Sequence, residues 1–343
     1  MRAAVFQGVG KPLVIEDRQR PTAGAGELVL KVAYCGICGS DIHGTEDSPF
    51  VLPPGVVLGH EFSGEVVESA AAGFQPGDRV VGVPLRECED CRPLGECRDR
   101  LGILCGRGKI VGLAPDVPGG YAEFVRLGAR HALRVPEGVD LREAALAEPL
   151  AVGAHAVRMA GAILGARVLI LGAGPIGLGV LQFARAAGAG AVVVSEPDAT
   201  RRQRAASLGA FVTLDPAADN IGESFARHAG GPPEVIFECV GAPGLIRQCM
   251  ELVAVRGRVL VVGVYRHEDT IMPRIGIRKE VLVQFVLGYI AEDFRLVLDM
   301  LAAGRIQAAV LITAVIGLEE VPEMFESLRW PNPHAKVLIA PGQ

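Results

Sequence analysis

Between Cys35 and Glu61 the chain gathers six groups able to bind a metal or move a proton: Cys38, Ser40, Asp41, His43, His60 and Glu61. They lie in two runs, CGICGSDIHG and VVLGHEFSG, joined by a short loop. A borderline-soft divalent ion such as zinc takes thiolate, imidazole and carboxylate together, and a catalytic zinc keeps one position open for substrate. Cys38, His60 and Glu61 offer that donor set. Singly, a buried cysteine or a satisfied histidine is ordinary core material. Together, with Gly59 and Gly64 bracketing the His-Glu pair, they point to a metal.

A second constellation is Gly172-Ala173-Gly174-Pro175-Ile176-Gly177, which follows the apolar run VLIL and opens IGLGVLQFARAA. The first glycine permits a tight turn, the second lets a pyrophosphate approach the backbone, and the third lets helix and strand pack closely. The helix N-terminus adds N–H donors and a positive dipole end. A chain with 44 glycines makes such triplets easily, so the context decides. Here a strand precedes, a helix follows, and Glu196 closes the next strand in VVVSEPD, nineteen residues after Gly177. An acid there accepts hydrogen bonds from ribose hydroxyls and repels a 2′-phosphate, which predicts NAD over NADP. Arg201 and its neighbour Arg202 are the opposing signal, cations near enough in sequence to meet a phosphate.

The elements that must position these groups change rhythm along the chain. The first 130 residues read as short strands punctuated by Gly and Pro: AAVFQ, LVIED, ELVLKVAY, GEVVES, DRVVGVP and YAEFVRL. Such strands suggest an all-β barrel or sandwich. A helical pattern spans Leu141 to Ala160, with Pro149 as its predicted break or kink. From Ala166 apolar β-branched strands alternate with helical stretches, the pattern of βαβ units on a mostly parallel sheet. RVLVVGV and VLVQFVLG read as further strands. After Gly288 come a helix (AEDFRLVLDMLAAG), a second helix (LEEVPEMFESL) and a closing strand, KVLIA.

Cys-Gly-Ile-Cys-Gly-Ser-Asp, then Gly-His-Glu, then the glycine fingerprint in this order resemble the zinc-dependent medium-chain alcohol and polyol dehydrogenases. The resemblance implies an α/β enzyme with two parts. A GroES-like β-barrel catalytic domain is expected over residues 1–149 and 289–343, and a Rossmann doubly wound parallel sheet binding NAD over 150–288. It implies zinc held by Cys38 and His60, with Glu61 and Glu148 bound directly, exchanging, or holding a water. Glu148 replaces the cysteine of simple alcohol dehydrogenases, as in polyol-type relatives, or else stands behind the site as a buried acid. Asp41 is a candidate partner for the far nitrogen of His60, or a cap on the short helix after Cys38. Ser40 is expected to take the proton of the reacting hydroxyl, and His43 to hand it to solvent. Cys88, Cys91, Cys97 and Cys105 resemble the family's structural zinc lobe, although the family spaces its first three cysteines more tightly. The implied reaction is reversible oxidation of a secondary alcohol or polyol to a ketone, with hydride passing to nicotinamide. A primary-alcohol or aldehyde reductase, or a nucleotide-binding relative without turnover, is the alternative. A homodimer or homotetramer is expected, and VLVQFVLG reads as either an interior strand or an edge that pairs between copies.

Composition bounds these readings. With 343 residues, half of them hydrophobic and a fifth charged, the chain suits two globular domains. A formal charge of −5 with no basic block argues against a nucleic-acid partner. The uncharged run Val168 to Ala184 is rich in glycine and suits strand-turn-helix better than a membrane span. MRAAVFQGVGKPLVIED lacks a long apolar core and a small-residue cleavage site, so a cytoplasmic protein without disulfides is expected. Cys35, Cys239 and Cys249 read as core residues.

Overall fold

The computed structural model describes residues 1–47, 51–86 and 108–343. Apolar runs broken by Gly and Pro form β1 (Arg2–Val5), β2 (Val14–Asp17), β3 (Glu27–Gly36), β4 (Glu61–Ser69), β5 (Arg79–Gly82), β6 (Leu85–Arg86), β7 (Lys109–Ile110), β8 (Phe124–Gly128) and β9 (Ala132–Arg134). The helix α1 (Gly39–Gly44) follows β3, while α2 (Leu141–Ala144) and α3 (Ala147–Met159) follow β9. Strand and helix then alternate through β10 (Arg167–Leu171), α4 (Pro175–Ala186), β11 (Ala191–Ser195), α5 (Ala199–Ser207), β12 (Val212–Leu214), α6 (Ile221–Ala229) and β13 (Val235–Glu238). They continue through α7 (Leu245–Leu252), β14 (Arg258–Val261), α8 (Pro273–Lys279) and β15 (Leu282–Phe285). The chain closes with α9 (Ala291–Ala302), β16 (Ile312–Ile316), α10 (Val321–Ser327) and β17 (Lys336–Ile339).

The predicted single helix over 141–160 is two helices, and the break falls at Ala145–Leu146, upstream of Pro149. Pro149 is the third residue of α3. In the first turn its missing N–H forfeits no helical bond, so proline is tolerated there.

Two units result. One comprises Met1–Glu148, Ile290–Gly304 and Ala308–Gln343; the other comprises Pro149–Tyr289 and Arg305–Gln307. In the second unit six parallel strands run in the order β12-β11-β10-β13-β14-β15. The strand order reverses at β10, which puts a crevice outside the carboxyl ends of β10 and β13, where doubly wound sheets bind ligands. β15 is an edge of the sheet; Leu282 and Phe285 on it, and Leu287 just past its end, are exposed.

The first unit is organised on β3, which pairs antiparallel with β4, β8 and β17 in a seven-stranded sheet. Irregular register between Val29 and Leu30, and again between Val32 and Tyr34, bends β3 as bulges do. Its ladder with β4 ends on the pair Gly36↔Glu61. The chain leaves that pair toward Cys38 on one side and enters it from His60 on the other. A Cβ on Gly36 would lie 2.0 Å from Glu61 Oε2, so any side chain there would displace that carboxylate.

The last strand locks this corner. Leu338 and Ile339 of β17 pair with Gly36 and Cys35, and Ile37 N–H donates to Val337 O at 2.9 Å. This sets Lys336, 3 % exposed, beside the fully buried Glu61. Its ammonium donates to Glu61 Oε1 at 2.6 Å and to Ile37 O at 3.0 Å. Burial alone would discharge the amine, but Glu61 and then Cys38 outweigh it and hold the ammonium above its ordinary range. Replacing one partner of a buried pair strands the other, at about 3–5 kcal/mol. Lys336→Met should therefore destabilise the chelator-treated protein by about that amount in denaturant unfolding, and adding Glu61→Gln should recover much of it. A Lys336→Met protein as stable as the parent would show that the pair does not hold the corner.

Candidate functional site

The α1 helix starts because Cys38 has an extended backbone and the carboxylate of Asp41, three residues on, accepts its N–H at 3.1 Å. Asp41 therefore does close the helix start, from inside the first turn. The same carboxylate accepts the hydroxyl of Tyr121 at 2.7 Å, and its Oδ1 lies 3.1 Å from His60 Nδ1. At that distance the carboxylate favours the ring proton on Nδ1. Burial alone would raise Asp41, but the charge of His60 and the donors around it hold it below the ordinary carboxylate range. Burial alone would lower His60, yet Asp41 and then Cys38 hold it well above the usual imidazole range. The locus is strongly negative.

Into it point one ligand atom each from Cys38, His60 and Glu61, all within 4.8 Å of one another. Ligand distances of about 2.0–2.3 Å around a tetrahedral ion place its ligand atoms about 3.3–3.8 Å apart, so small rotations close the set. Glu61 Oε2 is buried with no hydrogen-bond partner, although Oε1 is held by Lys336. A buried lone pair left open among thiolate and imidazole is what a cation would satisfy. Ser40 marks the open side: its hydroxyl donates to Cys38 Sγ at 3.1 Å and lies 3.4 Å from His60 Nε2. The residues present fit zinc.

Of the residues expected at this site, the structure brings Cys38, Ser40, Asp41, His60 and Glu61 together. His43 sits further along α1, 38 % exposed, with Nδ1 3.5 Å from Glu46 Oε2. Glu148 is buried in the first turn of α3 and adds to the negative field at Lys336, but its carboxylate does not join the group of three. Cys88, Cys91, Cys97 and Cys105 lie outside the described residues. Cys35 and Cys249 are core, while Cys239 is half-buried.

In the second unit β10 leads into Gly172 at φ +94°, and α4 begins at Pro175 with Gly174 as its N-cap. A Cβ on Gly177 would lie 2.0 Å from Gly172 O, so helix and turn touch backbone to backbone. A Cβ on Gly174 would meet nothing within 4 Å, which leaves the open cradle that a pyrophosphate needs. Ala173 and Ile176 complete the turn. Glu196 is 5 % exposed and tied down, accepting Ala173 N–H at 2.8 Å and Asp198 N–H at 3.0 Å. It is thus no solvated turn residue; it links the glycine turn to the end of β11. Arg202 is turned to the carbonyls of Glu196 and Pro197 and to Asp215. Arg201 lies in the first turn of α5, its N–H capped by Asp198 at 2.8 Å. These residues fit a nicotinamide dinucleotide.

Two residues at the metal locus escaped the sequence reading. Lys336 had a signal, a charge at the head of the apolar run KVLIA. Tyr121 had none, because nothing in PGGYAEF shows that a phenol will reach Asp41, eighty positions earlier.

Comparison with known proteins agrees with this geometry. Residues 24–137 match the alcohol dehydrogenase GroES-like domain, and residues 175–303 match the zinc-binding dehydrogenase domain. The (R,R)-butanediol dehydrogenase of Bacillus subtilis (strain 168) is 31 % identical, with 97 % of each chain covered. The sorbitol dehydrogenase of Pongo abelii is 34 % identical over 95 % of this chain and 92 % of its own. A Sinorhizobium meliloti 1021 structure, described as a zinc-binding dehydrogenase bound to NADP, superposes with a TM-score of 0.90 at 33 % identity, covering 99 % of each chain. With its metal-fitting corner on one unit and its glycine turn on the other, this chain belongs to the zinc-type medium-chain alcohol and polyol dehydrogenases.

Proposed function

We propose that the protein catalyses reversible oxidation of a secondary alcohol or polyol to a ketone, with hydride transferred to NAD. The convergence of Cys38, His60 and Glu61 around a partnerless carboxylate oxygen, with the Ser40 hydroxyl on the open side, supports this most directly. Zinc, when bound, supplies a Lewis acid that makes a hydroxyl acidic and, in reverse, polarises a carbonyl. Cys38 and His60 would hold it, with Glu61 Oε2 as the exchangeable third donor and Glu148 as a nearby buried acid. Asp41 keeps the proton of His60 on Nδ1, leaving Nε2 free to ligate. Ser40 Oγ would take the substrate's hydroxyl proton as it gives up its own, and His43, part-exposed beside Glu46, would release the relayed proton to water. Similarity to a butanediol and a sorbitol dehydrogenase supports a secondary alcohol or polyol as the substrate class.

Gly172, Gly174 and the N–H groups at the start of α4 would hold the pyrophosphate, and Glu196 would serve the adenosine ribose. Its buried anionic oxygens disfavour a 2′-phosphate, and Arg202 is committed to backbone carbonyls and Asp215. The Sinorhizobium meliloti relative holds NADP, which keeps the phosphorylated cofactor as the second reading. Among the described residues no helix is long and apolar enough to cross a membrane. Cys35, Cys38, Cys239 and Cys249 are free thiols, in keeping with the reducing cytoplasm. The edge strand β15, with Leu282 and Phe285 exposed on it and Leu287 just past its end, suits pairing with a second copy.

Chelator treatment or Cys38→Ala should abolish turnover on a panel of secondary alcohols and polyols while NAD binding persists; undiminished activity after either overturns the reading. The ratio kcat/KM should be higher with NAD than with NADP, and a preference for NADP would remove Glu196 from its role. Light scattering should give a dimer or tetramer that shifts toward monomer in a Phe285→Lys/Leu287→Lys variant; a parent protein that is monomeric at all concentrations would exclude the β15 interface.

A further inference from the structure

We propose that Tyr121 is a positioning residue for the metal centre, its hydroxyl holding the Asp41 carboxylate so that His60 presents Nε2, and not Nδ1, to the ion. The inference rests on the metal reading above and goes beyond it, to a residue outside the donor set.

The Asp41 carboxylate is wholly buried and its two oxygens are differently engaged. Oδ2 receives both the Cys38 N–H at 3.1 Å and the Tyr121 O–H at 2.7 Å. Oδ1 faces His60 Nδ1 at 3.1 Å. Two donors on one oxygen fix the plane of the carboxylate and leave the other oxygen to the imidazole. A carboxylate beside Nδ1 keeps the ring proton there, so Nε2, on the side of Ser40 Oγ, carries the lone pair. Without the phenol, the Cys38 N–H would be the one hydrogen-bond donor left on Oδ2 among the described residues, and the plane of the carboxylate facing His60 would be less fixed.

The phenol can act as a fixed point because its own place is over-determined. Its N–H donates to Leu58 O at 2.9 Å and its carbonyl accepts Ala4 N–H at 2.8 Å. Its ring lies against the turn that precedes His60: a Cβ on Gly59, at φ +99°, would fall 2.4 Å from Tyr121 Cδ1. Phe325 meets the ring edge-on, with centroids 6.5 Å apart and planes at 77°. Burial, reinforced by the charge of Asp41, holds the phenol well above its ordinary pKa, so it stays a donor. Tyr121 therefore packs on the turn before His60 and also reaches its partner Asp41. A phenylalanine would keep the packing and lose only the grip on Asp41.

The test is cobalt(II) titration of metal-stripped full-length protein, followed by ligand-field absorption, with Cys38→Ala supplying the background from the four-cysteine segment. Tyr121→Phe should lower cobalt affinity at the Cys38 site by about tenfold, the lower end of what partners behind a ligand contribute. The double variant Tyr121→Phe/Asp41→Asn should bind no more weakly than Asp41→Asn alone, because the hydroxyl acts only through that carboxylate. Unchanged affinity and spectrum in Tyr121→Phe, or losses that simply add in the double variant, would overturn the proposal. Should Asp41→Asn fail to fold, the affinity and spectrum of Tyr121→Phe decide alone. If instead Cys38→Ala binds as much cobalt as the parent, it is the metal reading that fails.

Discussion

A carboxylate taken out of water must be answered by donors or a cation, and this corner of the sheet buries two of them completely, Asp41 and Glu61. The answers differ. Glu61 gets a full ammonium on one oxygen and keeps the other open. Asp41 gets a backbone N–H, a phenol and an imidazole. The groups that answer them come from four separate stretches of chain, around residues 38, 60, 121 and 336. The sheet register and turn packing that bring those stretches together also answer these two charges, except at Glu61 Oε2, which is left open as a donor for a cation.

The nucleotide unit holds the acid beside its glycine turn with backbone donors. Glu196 takes the N–H groups of Ala173 and Asp198, so the carboxylate that would face a ribose also stitches the glycine turn to the neighbouring strand. Rigidity and recognition share one side chain. This economy suits a site whose ligand arrives already charged, since the turn must be shaped before the pyrophosphate approaches its N–H groups.

Much of this was legible in the order of residues. The glycine fingerprint, the strand before it and the acid after it are local features, and local spacing reports them well. The donor types at Cys38, His60 and Glu61 were equally plain, because thiol, imidazole and carboxylate in one cluster are rarely accidental. What could not be read was tertiary. The Pro149 break was misplaced because a proline in a first turn and a proline in a helix interior look alike in one dimension. Lys336 and Tyr121 reach their partners across 275 and 80 positions, and only the register of β17 on β3 and the packing of the Gly59 turn bring them there. Glu148 matched a family position by sequence, whereas its distance from the cluster depends on where α3 starts.

The first unit is written in the chain in interrupted form, with residues 149–289 inserted before its last strands. During synthesis the inserted unit emerges whole while the first still lacks β17, and domains fold as units in order of emergence. Glu61 then has no reason to leave water until residue 336 has cleared the ribosome. The nucleotide cradle is thus encoded whole before the strand that closes the metal corner, so a chain cut between residues 308 and 335 would carry the one without the other.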